Sequence, residues 1–583
     1  MLDEFSEDPR MLLVTTEPLL SALSPYIEWK TQCGVPVETI LYSNVAASSA
    51  ELKTHLISRI NNCTTPPEFL LIVGDVDDIP GFFGVGNSLT DHPYSTLNPE
   101  DYLPDISVGR IPCNTSAELS QWISRLLAYE RDGDVPEYFN STSYSSSVAL
   151  DPQHGQDITN LFSAAGLVVN QLQQPQTGSL QSLLNALNQN PVWVFYIGHG
   201  YSQAWSSVSP HLQVTDVPMI EHSASAIVVS VACATADLDY PGASIAEEWF
   251  NQNLNGGLLA YIGATESTAF FRSDTIGIAA LYSVFTQGIE RLGPALDYGK
   301  LRCAEHFPQA SGGLTEETIQ QFVLLGDPSM RVYSQPPQPL AVTHAFSLPV
   351  GSVSLPVTVS QNGQALEDVE VCLSGGGVYS IGRTGTAGSV ELIFTSDRPT
   401  TLLLTATARN ATAYQSEIQL VPNDAPYVIV DRITVLDSEG DNDGRADRGE
   451  TCELRIIVRN IGSQASTPGL LTIAPSNDEV QFAVNSLPIP AIPASESHII
   501  SQVLAFTVSP DATDGTTVSL EMGISENTGV PTVSLETLEL HAPNILYSDC
   551  ELTELAGDND GNPEAGETLA LDLFFSNGGS DRA

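Results

Sequence analysis

Along the first 333 residues, apolar positions come in short runs separated by longer amphipathic stretches. The runs at 11–16, 69–73, 106–108, 148–150, 192–197, 227–231 and 258–262 are bounded by Gly, Asp or Pro. Strands buried on both faces of a parallel sheet have that look. Between them the spacing changes. Leu52, Leu56, Ile57 and Ile60 fall on one helical face after Ser49, and Leu119, Ile123, Leu126 and Leu127 do so after Ser116. Strand–helix alternation of this kind predicts a doubly wound α/β sheet. It reads as two units side by side, 1–140 and 141–333, with a break near 129–147.

The helical period stops at 334–340 (SQPPQPL), a proline-rich linker. Beyond it, alternation at 354–359 and 369–373 and a glycine turn at 375–377 predict an antiparallel, Ig-like β-sandwich over 334–423. A repeat follows. Ala425-Pro426 recurs as Ala542-Pro543, Gly449-Glu450-Thr451 as Gly566-Glu567-Thr568, Asn460 as Asn577 and Gly462-Ser463 as Gly579-Ser580, always at an offset of 117 residues. One β-domain therefore spans 424–541, and 542–583 opens a second copy that is cut short.

Charge narrows the partners. Lys+Arg number 21 and Asp+Glu 70, a formal net charge of −49 over 583 residues. The only lysines are Lys30, Lys53 and Lys300. This argues against nucleic-acid or anionic-membrane partners, which need Lys/Arg surfaces, and it suits cations. An apolar content of 42% sets the chain apart from acidic disordered segments. No apolar run approaches the roughly 18 residues of a membrane helix, and the acidic start is no signal peptide. Eight cysteines without a CxxC pair fit neither a zinc ribbon nor a disulfide framework, so most are expected as buried thiols.

In an open α/β sheet, function collects beyond the C-terminal strand ends. Three places there carry chemistry. His199 lies between Gly198 and Gly200 after the run 192–197, Cys233 follows the run 227–231, and Asp151 follows the run 148–150. An imidazolium lowers a neighbouring thiol's pKa and makes it nucleophilic, and a carboxylate behind the ring fixes its tautomer. The N–H groups of Gly200 and Cys233 would hold an oxyanion. Taken singly, each has a plainer reading: a tight turn, a core thiol, a helix-start acid. The histidines His154, His199, His211 and His222 match no zinc-binding spacing.

An ordered set of motifs resembles the gingipain family of bacterial cysteine peptidases. It runs Leu71-Ile72-Val73-Gly74-Asp75 to Asp78-Ile79-Pro80, Val108-Gly109-Arg110, Tyr129-Glu130-Arg131, Tyr196 to Gly200 with Ala204-Trp205, Val231-Ala232-Cys233, and Leu325-Gly326-Asp327-Pro328-Ser329. The resemblance implies an α/β caspase-like fold followed by Ig-like sandwiches, and hydrolysis of protein or peptide substrates without a catalytic cofactor. It assigns His199 and Cys233 as the dyad, Gly200 and Cys233 amides as the oxyanion hole, and Asp151 as the acidic partner. Selection of Arg or Lys in that family uses an acid in the specificity pocket, for which Asp157 and Glu266 are candidates, with Phe270 as the pocket aromatic. The family is typically exported, often by the type IX route, so a secreted or surface location is expected, with signal and sorting segments outside this chain.

The repeat carries a second chemistry. Asp441, Asp443 and Glu450, and again Asp558, Asp560 and Glu567, bunch oxygen ligands around an Asp-Asn-Asp-Gly turn, as structural Ca²⁺ requires. A solvated hairpin turn is the plainer reading. The rival to the peptidase reading is an idle caspase-like domain in a calcium-binding surface or adhesion protein.

Overall fold

The structure is a computed structural model that describes residues 9–580, apart from 99–100, 137–138, 253–254, 310, 397–398, 422–424, 439, 441, 503, 527–531, 557–567 and 578. Two compact units are present. The first comprises 9–346, 354–394 and 401–418, and the second 347–353, 395–400 and 419 onward.

The first unit is built on one ten-stranded sheet. Its strands are β1 (Met11–Thr15), β2 (Val37–Leu41), β3 (Phe69–Val73), β4 (Ser107–Ile111), β5 (Asn140–Ser145), β6 (Val168–Gln173), β7 (Trp193–Ile197), β8 (Ile227–Val231), β9 (Ala260–Ala264) and β10 (Phe322–Leu325). Their spatial order is β2-β1-β3-β4-β10-β9-β8-β7-β5-β6. All neighbours are parallel except β9 and β10, and β10 is parallel to β4. The last strand thus joins the two expected units into a single sheet whose halves run in opposite directions. Strands β1, β3, β7, β8 and β9 are buried at every position, which is why they read as unbroken apolar runs.

The helices that cover the sheet follow from caps and stripes. Helix α1 is Ser24–Gln32. Helix α2 (Ser49–Asn61) starts where the Ser48 side chain accepts the Glu51 N–H, and it buries Leu52, Leu56 and Ile60. Helix α3 (Ser116–Glu130) opens on a Thr115/Glu118 capping box and buries Leu119, Ile123 and Leu126. Then come α4 (Asp151–Ala164), α5 (Leu180–Leu187), α6 (Ile245–Phe250), α7 (Arg272–Tyr282), α8 (Leu292–His306) and α9 (Leu314–Gln321).

One expected strand is wrong. The run 148–150 is a turn, with Ala149 at φ 44°, and the strand before it is the polar β5. All six positions of β5 (NSTSYS) are buried. Helix α4 lies so close that a Cβ on Gly155 would stand 2.6 Å from Ser145 Cβ. Only small side chains fit there, and Ser143 Oγ donates to the Gly155 carbonyl at 3.2 Å. The edge strands β2 and β6 were not anticipated; both are largely half-exposed and lack a buried strand's apolar run.

Buried charge knits this unit together. Lys30 Nζ lies 2.6 Å from Glu130 and 2.7 Å from Asp327, all three buried. Beyond 334 the elements among the described residues are all strands, as expected: β11 (Glu370–Gly375) pairs antiparallel with β12 (Val378–Arg383) and with β13 (Thr400–Thr407). From β11, Glu370 reaches Arg291 at 2.9 Å and Arg331 at 2.6 Å, and also accepts from Arg10. The first β-module is therefore fixed to the α/β sheet by one carboxylate and three guanidiniums.

The second unit is a β-sandwich. Strands β14 (Val428–Leu436), β15 (Thr451–Asn460) and β17 (Leu504–Val508) form one sheet; β16 (Gly469–Pro475), β18 (Thr516–Glu526) and β19 (Thr532–His541) form the other. Residues such as Leu454, Ile456, Val518 and Leu520 fill the space between. The hairpin β20 (Ile545–Ala556) and β21 (Thr568–Asn577) repeats the β14–β15 pairing, with the bulge at 430/432 recurring at 547/549. The repeated residues have a physical reason. Asn460 Oδ1 accepts from the N–H groups of Tyr427 and Gly462, and Asn577 Oδ1 does the same for Asn544 and Gly579. A Cβ on Gly462 would stand 2.3 Å from the Ala425 carbonyl, and one on Gly579 2.1 Å from that of Ala542.

Burial pushes the Glu370 carboxyl up, but Arg291, Arg331, Arg10 and Arg383 outweigh it and hold the pKa at about 2, against an ordinary 4.5. A depressed carboxylate contributes stability that is complete above its unfolded pKa and is lost as pH falls through the folded one. Denaturation midpoints should therefore drop as pH falls from 4.5 toward 2. Glu370→Gln should flatten that limb while costing about 3–5 kcal/mol at pH 7, since it strands buried guanidiniums.

Candidate active site

Three neighbouring strands end level. In the parallel register Ser145 pairs with Ile197, and Ile197 with Val231. Two residues past Ile197 is His199, and two past Val231 is Cys233. Equal steps from paired positions on adjacent parallel strands bring the imidazole and the thiol to one sheet edge, about one strand spacing (~4.8 Å) apart at the backbone. From β5 the chain turns back, and Asp151 arrives at the same edge as the first residue of α4.

The His199 turn is held from below. Tyr196 stacks on Trp205 with ring centroids 4.2 Å apart and planes 6° from parallel. Tyr196 Oη donates to the His199 carbonyl at 2.7 Å, and the His199 N–H donates to Ser207 Oγ at 2.8 Å. The imidazole itself is exposed. Gly200 is required by crowding: a Cβ there would lie 2.8 Å from the Cys233 carbonyl and 3.0 Å from Ala232 Cβ. The Cys233 thiol is half-buried, with Thr268 Oγ1 at 3.9 Å. The next residue, Ala234, takes a left-handed φ of 54° and donates its N–H to the Glu266 carbonyl.

Asp151 is buried at 2% exposure. Its Oδ2 accepts from Ser146 Oγ, while its Oδ1 has no hydrogen-bond partner. Burial raises its pKa, and Ser146, His154 and His199 each pull it down. A second carboxylate faces it. Asp274, in the first turn of α7, is 4% exposed, with His154 Nδ1 3.5 Å from its Oδ2. Burial raises this carboxyl as well; His154 opposes the rise and Asp151 adds to it. His199, Cys233, Asp151, Asp274, Thr268 and Phe270 line one cleft of about 50 Å³.

Of the expected pocket residues, Phe270 lines the cleft, and the two acids do not. Asp157 sits on the exposed face of α4 and accepts from Gln153 Nε2 at 2.8 Å. Glu266 is exposed, its carboxylate taken by the Ser267 N–H at 2.8 Å. The acid that lines the cleft beside Asp151 is Asp274. In sequence it looks like any helix-start carboxylate; only the fold reveals that α7 begins at the cleft.

The calcium set is described in part. Asp441, Asp558, Asp560 and Glu567 lie outside the described residues. Asp443 Oδ1 accepts the Arg445 N–H at 2.9 Å, and the N–H groups of Asp443 and Gly444 both donate to the buried Asp437. Glu450 packs against Gly440. Among the described residues no group of three acidic, His or Cys side chains is placed to hold a metal, and no helix is long and apolar enough to cross a membrane. Among the described residues no cysteine is in a disulfide, and five of the eight are buried.

Comparison with known proteins places these features. Residues 5–333 match the family described as Peptidase family C25. Gingipain R2 of Porphyromonas gingivalis is 22% identical over 385 residues, covering 62% of this chain and 51% of that protein. Lys-gingipain of the same organism is 25% identical over 313 residues, covering 48% of this chain and 17% of that protein. The chain thus spans about half the length of the first of these relatives, and less of the second. The crystal structure of the Arg-specific cysteine proteinase gingipain R superposes with a TM-score of 0.64 at 19% identity, over 71% of this chain and 98% of that one. The complex of gingipain pro- and mature domains from P. gingivalis gives 0.65 at 19% identity, over 71% of this chain and all of that one. Likeness at that identity establishes the fold, and the α/β caspase-like class with trailing sandwiches stands.

Proposed function

The chain belongs to peptidase family C25, and on that premise we propose that it is a cysteine endopeptidase with Cys233 as nucleophile and His199 as acid/base. The observation that carries the reading is the level ending of β7 and β8, which brings thiol and imidazole to one cleft. His199 takes the thiol proton, and the thiolate adds to the scissile carbonyl. The oxyanion faces the N–H groups of Gly200 and Cys233. His199 then protonates the leaving amine as the tetrahedral adduct collapses to a thioester. In the second half it takes a proton from water, whose attack releases the acid and restores the thiol. Asp151 orients the imidazole and stabilises its charged form.

The substrate proposed is a polypeptide with a basic residue before the cut. Two buried carboxylates, Asp151 and Asp274, line the cleft; each has one oxygen without a hydrogen-bond partner, and burial raises both. A guanidinium or ammonium would offset that burial. An exported or cell-surface location is proposed on the family resemblance. Structural Ca²⁺ in the 424–541 domain and its second copy is proposed on the repeat of the acidic turn.

Three experiments test these readings. Purified protein should cleave casein and be labelled by a thiol-directed peptide inhibitor, and Cys233→Ala should abolish both while keeping the fold. Absence of turnover and labelling in the parent would favour the idle surface-protein reading. Asp274→Asn should raise KM for Arg or Lys substrates at least about tenfold and leave kcat nearly unchanged; an equal loss on neutral substrates would remove it from specificity. Chelation with EGTA should lower the thermal midpoint of the C-terminal β-domain by several degrees, about what loss of a bound ligand produces. An unmoved midpoint overturns the calcium proposal.

A further inference from the structure

A second cavity adjoins the cleft. Helix α7 carries Thr275, Ile278, Ala279 and Tyr282 along one stripe at helical spacing, with Phe271 just before its first turn. Opposite them stand Tyr298 of α8 and the nearby Phe307, and the groove between is about 600 Å³. That is the size and apolar character of sites that seat side chains. It is left open to solvent: Phe271 is 50% exposed and Tyr282 48%. Phe307 is held at its end by the Arg272 guanidinium, 4.7 Å from the ring centre, while Arg272 Nε donates to Thr315.

We propose that this groove is a remote subsite for the substrate chain, taking an apolar or aromatic side chain about four residues from the one seated at Asp274. The inference rests on the peptidase reading. Two observations connect the groove to the cleft. Asp274 lines both cavities, and the Phe270 ring, in the cleft, packs edge-on against Phe271, in the groove, at 4.7 Å. Phe271 holds a φ of 66°, a backbone state that costs a bulky residue energy and that collects at functional sites. From Asp274 to Tyr282 the helix rises about 12 Å, a span an extended chain covers in about four residues. A polypeptide engaged at Cys233 is therefore the ligand that reaches both cavities. The groove wall is mostly apolar; of its ionisable residues, Arg302 is paired with Glu305 and His154 with Asp274, and His306 Nδ1 lies 3.1 Å from the Arg302 carbonyl. An apolar anchor suits it better than a charged one.

The test separates this subsite from the chemistry. Binding is measured by fluorescence anisotropy to the inert Cys233→Ala protein, with two labelled peptides sharing the same basic residue. One is a short dipeptidyl ligand; the other extends on both sides, with Phe or Leu at every remote position. Ala279→Arg, which fills the groove, and Tyr282→Ala, which strips one wall, should each weaken the long peptide about tenfold, the worth of one buried apolar side chain. The short peptide should bind as before. Equal loss on both peptides, or on neither, overturns the proposal. Turnover is read separately with Cys233 intact: groove-dependent binding without turnover would sink the peptidase reading and leave the subsite standing.

Discussion

The register of three parallel strands governs the site. β5, β7 and β8 pair so that Ser145, Ile197 and Val231 stand level, and every candidate catalytic group is counted from there. A parallel ladder leaves little freedom in this. A one-residue slip would turn every side chain of a strand to the other face, and these strands are buried on both faces. The energy of the core is thus what fixes the spacing of imidazole and thiol. Burial of β7 and β8, the stack of Tyr196 on Trp205 and the contact of Gly200 with the Cys233 carbonyl are successive steps of one constraint. The nearer a step lies to the chemistry, the smaller the residue it tolerates.

The charge asymmetry looks different once the fold is known. With 21 cations against 70 acids, several of the cations are spent inside. Lys30, Lys300, Arg110, Arg125 and Arg291 are buried. Arg110 clasps Asp91 through two nitrogens at 2.7 Å, and Lys300 lies 2.9 Å from His92 Nδ1. Lys53 is the one lysine that is not buried. Among the described residues ten carboxylates are buried as well, Asp91, Glu130, Asp327 and Glu370 among them, so the outside keeps nearly all of the negative excess. A surface of that sign steers cationic ligands and repels anionic ones.

How much was legible follows from what each element displays in one dimension. Strands buried on both faces and capped amphipathic helices announce themselves, and so did β1, β3, β7, β8, α2 and α3. His199 and Cys233 were legible because each follows such a strand. β5 was not, because close packing of Gly155 selects serines that resemble a loop. The four-residue apolar run of β10 directly follows α9 with no break between them, so it reads as the end of the helix, yet it joins the halves of the sheet. Asp151 comes to the cleft by another route than its sequence position suggests: it follows a turn rather than a strand, and α4 starts there. Asp157 and Glu266 were chosen by charge and nearness in sequence. Whether a carboxylate faces a cleft depends on which side of a helix or loop it leaves, and that is decided by packing.

Backbone strain marks the same place independently. Among the described residues, most non-glycine positions with positive φ are Asn, Asp or Ser, side chains that tolerate the left-handed region. Three are not: Ala149 at 44°, Ala234 at 54° and Phe271 at 66°. Ala149 lies between Val148 and Asp151, Ala234 follows Cys233, and Phe271 follows Phe270, so each belongs to a loop that lines the cleft. Glycine would relieve each position by about 1 kcal/mol or more, less the chain entropy it adds. A side chain retained against that gradient has work to do, or its stiffness does. For Ala149 and Ala234, whose methyl groups add little contact, stiffness is the stronger account: a β-carbon narrows the conformations of the loops that carry Asp151 and Cys233. The cleft is held in shape by the sheet from below and by strained, inflexible turns from above, an arrangement that favours a preformed site over one assembled on binding.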